Sequence, residues 1–136
     1  MTDRYLQISS EIVKARPVEH GTLVDTTCLL ATGEIVQVLV SGGLNDVVVS
    51  DCGLAMTEIE NLGAVEKFPS RRFKGYASKF GVNVSQKGEL YLKTSAAEIS
   101  AAVVLVANAV QEAVNTETFR MKPQHHRDLK IAVADF

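Results

Sequence analysis

Asp51 is the first residue whose type and place could do chemistry. It stands in Ser50-Asp51-Cys52-Gly53, where a β-rich run turns into an apolar-periodic segment. A carboxylate at a strand end can serve as a general base or a metal ligand. The Asp-x-Gly pattern favours a quieter role, in which the aspartate bonds local backbone amides and the glycine supplies positive φ. Asp25 and Glu34 on neighbouring strands would complete an acidic trio of the kind that holds a metal in nucleases. Val36 stands where such a site would want a lysine, two residues after the strand carboxylate.

A second cluster runs from Lys67 to Phe80. Lys67, Arg71, Arg72, Lys74 and Lys79 alternate with Phe68, Phe73, Tyr76 and Phe80. Cations interleaved with aromatics can bind single strands or phosphates. Phe73, Tyr76 and Phe80 share one helical face, however, which predicts a core side with the cations solvated. Arg71 and Arg72 would then sit at a helix N-terminus, which disfavours cations by ~0.3–1 kcal/mol each. A bound anion or an acidic partner would offset that cost.

The remaining candidates are weaker. His125 and His126 are adjacent, so one face cannot present both, and no third ligand lies at metal spacing. Cys28 and Cys52 lack a flanking base in sequence, and a nucleophilic thiolate needs a histidine or a cationic setting. His20 precedes Cys28 by most of a strand, too far for contact.

The elements that must position these residues can be read from periodicity. Tyr5, Ile8 and Ile12 share one face of an N-terminal helix that Arg16-Pro17 stops. Strands are expected over residues 22–30, 34–40 and 46–50, with short turns that favour an antiparallel meander. A helix is expected over 54–62, ended by Gly63, and another follows Ser70 and ends at Gly81. Residues 82–84 and 89–92 flank Gln86-Lys87-Gly88 as a hairpin. Ser95 and Glu98 have capping-box spacing and open a main helix over 96–115. Ile99, Val103, Val106 and Val110 form one apolar face; Ala102, Leu105, Ala109 and Ala113 form another. A helix apolar nearly all round must be covered on both sides. The small residues suit close approach of a second copy, so Ala102, Leu105, Ala109 and Ala113 are the expected homodimer interface. A basic linker over 120–127 and a strand over 129–133 close the chain.

Composition bounds the class. The chain has 136 residues, 46% hydrophobic and 22% charged, with net charge −2 and two cysteines. That suits one aliphatic-cored domain with reduced thiols and no bulk pull on nucleic acid. The N-terminal residues lack the layout of a signal peptide, and the longest apolar run, 101–107, is far below the ~20 residues that span a bilayer. A cytoplasmic protein with no membrane partner is expected.

Taken in order, Asp51-Cys52-Gly53, Leu54 to Leu62-Gly63, Arg71-Arg72 and Phe80-Gly81-Val82, then a hairpin and a long aliphatic helix, resemble the family called domain of unknown function 1828. The resemblance spans roughly residues 13–114. Cys52 stands where members of that family often carry a second acidic residue. The resemblance implies a setting in phage-linked and mobile bacterial genes, and it carries no assigned activity. The element order is also similar to that of small dimeric secretion chaperones.

The expectation is therefore an α+β domain over residues 1–119, with an antiparallel sheet of about five strands and helices on one face, followed by the segment 120–136. A non-enzymatic binding protein, inhibiting or escorting a protein partner in phage–host conflict, is the leading function. Its candidate binding residues are Arg71, Arg72, Lys74 and Asp51. No cofactor or metal is expected. The alternatives are a nucleic-acid-binding regulator using the surface of residues 67–79, and a metal-dependent enzyme using Asp51.

Overall fold

Valines at alternate positions build the sheet. Val36, Val38 and Val40 point one way from a single strand and all three are buried. β-branched side chains suit such a pleated, covered surface. The computed structural model describes residues 14–63 and 70–134, with side chains to residue 120. Strands β1 (Lys14–Val18), β2 (Gly21–Leu29), β3 (Ile35–Gly42) and β4 (Val47–Ser50) come first. Helices α1 (Leu54–Asn61) and α2 (Arg71–Lys79) follow, then β5 (Asn83–Val84) and β6 (Leu90–Thr94). A single 3-10 turn (Ala96–Glu98) leads into α3 (Ile99–Ala134).

The six strands form one antiparallel sheet in the order β1-β2-β3-β4-β6-β5. β1 to β4 are the expected meander with one more strand at its edge. β6 then docks against β4, and β5 hairpins onto its outer side. The sixth strand is β1, whose sequence Lys-Ala-Arg-Pro-Val reads poorly as a strand. It is tolerated because it is an edge, where proline and lysine deter further pairing. β2 shifts register between Asp25 and Leu29. There Thr26 Oγ1 donates to the Val36 carbonyl at 2.8 Å and accepts from the Cys28 amide at 3.2 Å, repairing the interrupted ladder.

α3 packs across β2, β3, β4 and β6, and α1 and α2 flank it in the same layer. Val103, Val106 and Val110 are buried, and so are Ala102, Ala109 and Ala113. Ala102, Ala109 and Ala113 are at most 5% exposed, so neighbours within the chain already cover these three residues of the expected interface. α1 and α2 both pack on α3, so helices of the same chain supply cover that the sequence analysis expects of a second copy. Among the described side chains of α3, the large apolar ones that look outward are Leu105, Val104 and Phe119. Phe73 seats α2, being 1% exposed. A buried phenylalanine cut back to alanine costs ~3–5 kcal/mol, so Phe73 is the main apolar tie of that short helix.

Three expectations change. The N-terminal helix falls mostly on residues 1–13, outside the described residues, and 14–18 are strand. The linker and strand over 120–133 are instead helical, because α3 continues to Ala134. The Ser95–Glu98 capping box does not form: Ser95 makes no side-chain cap bond, and its carbonyl accepts the Glu98 amide at 3.0 Å in the 3-10 turn.

Candidate functional site

The strand-end turn is assembled around one carboxylate. Asp51 follows β4 and is 2% exposed. Its Oδ1 accepts from the Gly53 amide at 2.8 Å and the Leu90 amide at 2.9 Å, and its Oδ2 from the Ala55 amide at 3.0 Å. The backbone adds Asp51 N–H to the Leu90 carbonyl and Leu54 N–H to the Asp51 carbonyl. One side chain thus caps the start of α1 and pins β6 to β4. The chain reaches this geometry through two successive left-handed residues, Cys52 at φ 54° and Gly53 at φ 80°. Glycine adopts that region freely, whereas an L-residue pays roughly 1–2 kcal/mol. The bond from the Cys52 amide to Ser50 Oγ, at 2.9 Å, helps hold the strained residue. Ser50 Oγ in turn donates to Glu89 Oε1 at 2.6 Å.

Burial pushes the Asp51 carboxyl above its ordinary value, the three amides pull it back, and the Glu89 carboxylate adds to the rise. Both oxygens are engaged and turned inward, so Asp51 is a structural hub, out of reach of a substrate or partner. Partial burial raises the Cys52 thiol as well, and Glu89 and Asp51 reinforce the rise against the Ser50 hydrogen bond. That is the reverse of an activated nucleophile. Asp25 accepts from Gln37 Nε2 across the β2–β3 pair, away from Asp51. Among the described residues, no three His, Cys, Asp or Glu side chains converge as a metal would need. Cys28 is half-buried and donates to Asn108 Oδ1 at 3.6 Å. His20 lies at the opposite end of β2, lining an open cleft with Thr22, Val40, Leu44 and Ile99.

The basic cluster on α2 divides. Ser70 caps the helix, its Oγ accepting from the Phe73 amide at 3.1 Å. Arg71 and Lys74 are exposed. Arg72, expected in solvent, is half-buried, and its Nε donates to Glu117 Oε1 at 2.8 Å. Glu117 is 4% exposed and also takes Arg120 Nη1 at 2.9 Å on its second oxygen. Lys79 Nζ reaches Glu112 Oε1 at 3.0 Å and lies 5.8 Å from the Phe80 ring centre. Two of the α2 cations are therefore spent on clamping α2 to α3. The acid that offsets an arginine at the helix N-terminus comes from the chain itself. Tyr76 sits against this cluster, where burial and Glu117 push its hydroxyl above the ordinary tyrosine value, suppressing ionisation, and Arg72 and Arg120 oppose the shift. Phe73 is buried as expected, while Phe80 is only half-buried. Lys67 and Phe68 lie outside the described residues, and His125 and His126 beyond the last described side chain.

Sequence reasoning missed Glu117 and Glu112. The one local signal was Glu117 to Arg120, an i,i+3 pair. It also missed Phe119, which is 72% exposed beside Arg120. The stretch Ala96–Arg120 has the length and apolarity of a membrane span, and much of it is buried inside the domain. The core helix of a soluble domain meets the same description. No protein-family model, no curated protein and no solved structure matches the chain.

Proposed function

We propose that this chain is a non-enzymatic binding protein that inhibits or escorts a protein partner through the outer surface of α2 and α3. The observation that carries the reading is the contrast between what faces in and what faces out. The carboxylates suited to chemistry are held in fold-forming bonds, Asp51 by three amides and Glu117 by two arginines. The outward side carries Phe119 and Val104 of α3, 72% and 56% exposed, and α2 presents the exposed Arg71 and Lys74. Aromatic and arginine residues are the side chains that dominate binding energy at protein interfaces. The cations suit an acidic partner surface. The setting in phage–host conflict rests on the resemblance noted from sequence, and the cytoplasmic one on the N-terminal layout and the two cysteines.

Photo-crosslinking in cells tests this. A photoreactive residue in place of Phe119 is expected to trap one protein of constant mass, and Arg71→Glu with Lys74→Glu to abolish the adduct. An adduct-free protein at both 104 and 119 would end the proposal. The nucleic-acid reading has less surface to stand on, since Arg72 and Lys79 are paired with acids. Salt-sensitive DNA binding lost in the same double variant would restore it.

A further inference from the structure

The described helices lie on one face of the sheet. Ala15, Cys28 and Leu92 pack into the core beneath them. Strand alternation turns their neighbours to the opposite face. The ladder registers align Arg16 with Leu23, Leu23 with Leu39, Leu39 with Ser50, and Ser50 with Tyr91. These residues make one cross-strand row on the face away from α3. Leu23, Leu39 and Tyr91 are half-buried without packing on the core. A second apolar pair on this face, Leu29 and Ile35, is 56% and 51% exposed.

We propose that this face packs against the same face of a second copy, about a two-fold axis parallel to β3. The pattern of the row selects both occupant and axis. Leu39 is its centre, with Arg16 two strands to one side and Tyr91 two strands to the other, each ~10 Å away at the usual strand spacing. Rotation about an axis along β3 places Arg16 of one copy over Tyr91 of the other, a favourable cation–aromatic pair. It also stacks Leu39 on Leu39 and Ile35 on Ile35. Rotation about the row itself would instead set Arg16 against Arg16. Charge agrees with the first axis. The β1 end carries Lys14 and Arg16 beside Asp25, whose carboxylate is bonded by Gln37. The β4–β6 end carries Lys93 beside Asp46, with Glu89 on the neighbouring turn. Lys14 stands two residues before Arg16 and Glu89 two before Tyr91, on strands that run the same way, so the same two-fold sets Lys14 over Glu89. Hollows of about 540 Å³ and about 500 Å³ lie at these two ends. The assembly would be a four-layer sandwich with both α3 helices facing outward, leaving the proposed partner surface free.

Sedimentation equilibrium and cysteine crosslinking of the full chain test it. The wild type is expected to dimerise at micromolar concentration, and Leu39→Glu to be a folded monomer by circular dichroism. Arg16→Glu is expected to weaken the dimer at least tenfold at low salt. With Cys28→Ser and Cys52→Asn as background, Leu39→Cys is expected to crosslink through a short bis-maleimide and Val104→Cys not to. A wild type still monomeric at about 100 μM, where a micromolar dimer would be nearly complete, would overturn the proposal. So would crosslinking through Val104→Cys alone, which puts the second copy on the helix. A dimer that appears only after residues 1–13 are deleted would also overturn it, giving the face to that segment.

Discussion

The turn around Asp51 and the junction around Glu117 are both buried carboxylates that accept more than one hydrogen bond, yet they hold different things. Asp51 serves backbone, and two of its three amide donors lie within four residues of it. Glu117 serves side chains, reaching Arg72 across 45 positions of sequence. The first fixes the path of the chain, and the second fixes how one finished helix sits on another. Backbone amides cannot swing away to water when their acceptor is lost, whereas arginine side chains can. The two sites should therefore fail by different amounts and in different ways.

The largest effect is expected at Asp51. Asp51→Ala strips the acceptor from three amides at a buried turn, and each unsatisfied buried donor costs ~1–3 kcal/mol. A loss of roughly 3–5 kcal/mol in urea unfolding is expected, a large part of the stability of a domain this size. Asp51→Asn keeps the Oδ1 partners but turns an amide toward the Ala55 N–H, so about half that loss is expected. A loss below ~1 kcal/mol for the alanine variant would show that water reaches these amides and that the turn is not a hub.

Glu117→Gln should cost less, roughly 1–2 kcal/mol, because Arg72 and Arg120 are 35% and 49% exposed and can recover hydration. Its signature is regional. Hydrogen exchange should quicken in α2 while the strands stay protected, since α2 is short and clamped from one side. A double-mutant cycle of Arg72→Ala with Glu117→Gln should show coupling that falls as salt rises. Equal quickening throughout the domain would mean that the clamp is part of the global core.

The same contrast explains what was legible in the sequence. Asp51-Cys52-Gly53 announced its turn because the donors, the acceptor and the glycine are neighbours, and such local chemistry is carried by residue type. The three valine-rich strands were legible for a similar reason, since period-two alternation is local. β1 was not, because two cations and a proline say nothing of the partner strand that recruits them. The α2 cations were visible, but Glu112 and Glu117 are ordinary acids on a long helix until the fold brings them over α2. The alanines of α3 suit a second copy as well as a neighbour in the same chain, because sequence cannot tell which neighbour a small residue is small for. The sheet face away from α3 was equally hidden, being defined by where the described helices are not.

The smallest effect is chemical, and it separates the two readings of the turn most sharply. Cys52 is exposed and strained, as a reactive cysteine often is, yet Glu89 and Asp51 hold negative charge beside it. Their field and the partial burial of the sulfur keep the proton on. The folded thiol then titrates above the unfolded one. Its contribution to stability is full below the unfolded value and fades as pH rises through the folded value, in the alkaline range. At pH 7 the thiolate fraction is smaller than in a free cysteine, so iodoacetamide should label Cys52 several-fold more slowly than a model thiol. Labelling should quicken with pH, and it should quicken at fixed pH when Glu89→Gln removes one charge. Faster labelling than the model thiol at pH 7 would return Cys52 to the set of chemical candidates. A rate unmoved by Glu89→Gln would assign its sluggishness to burial alone.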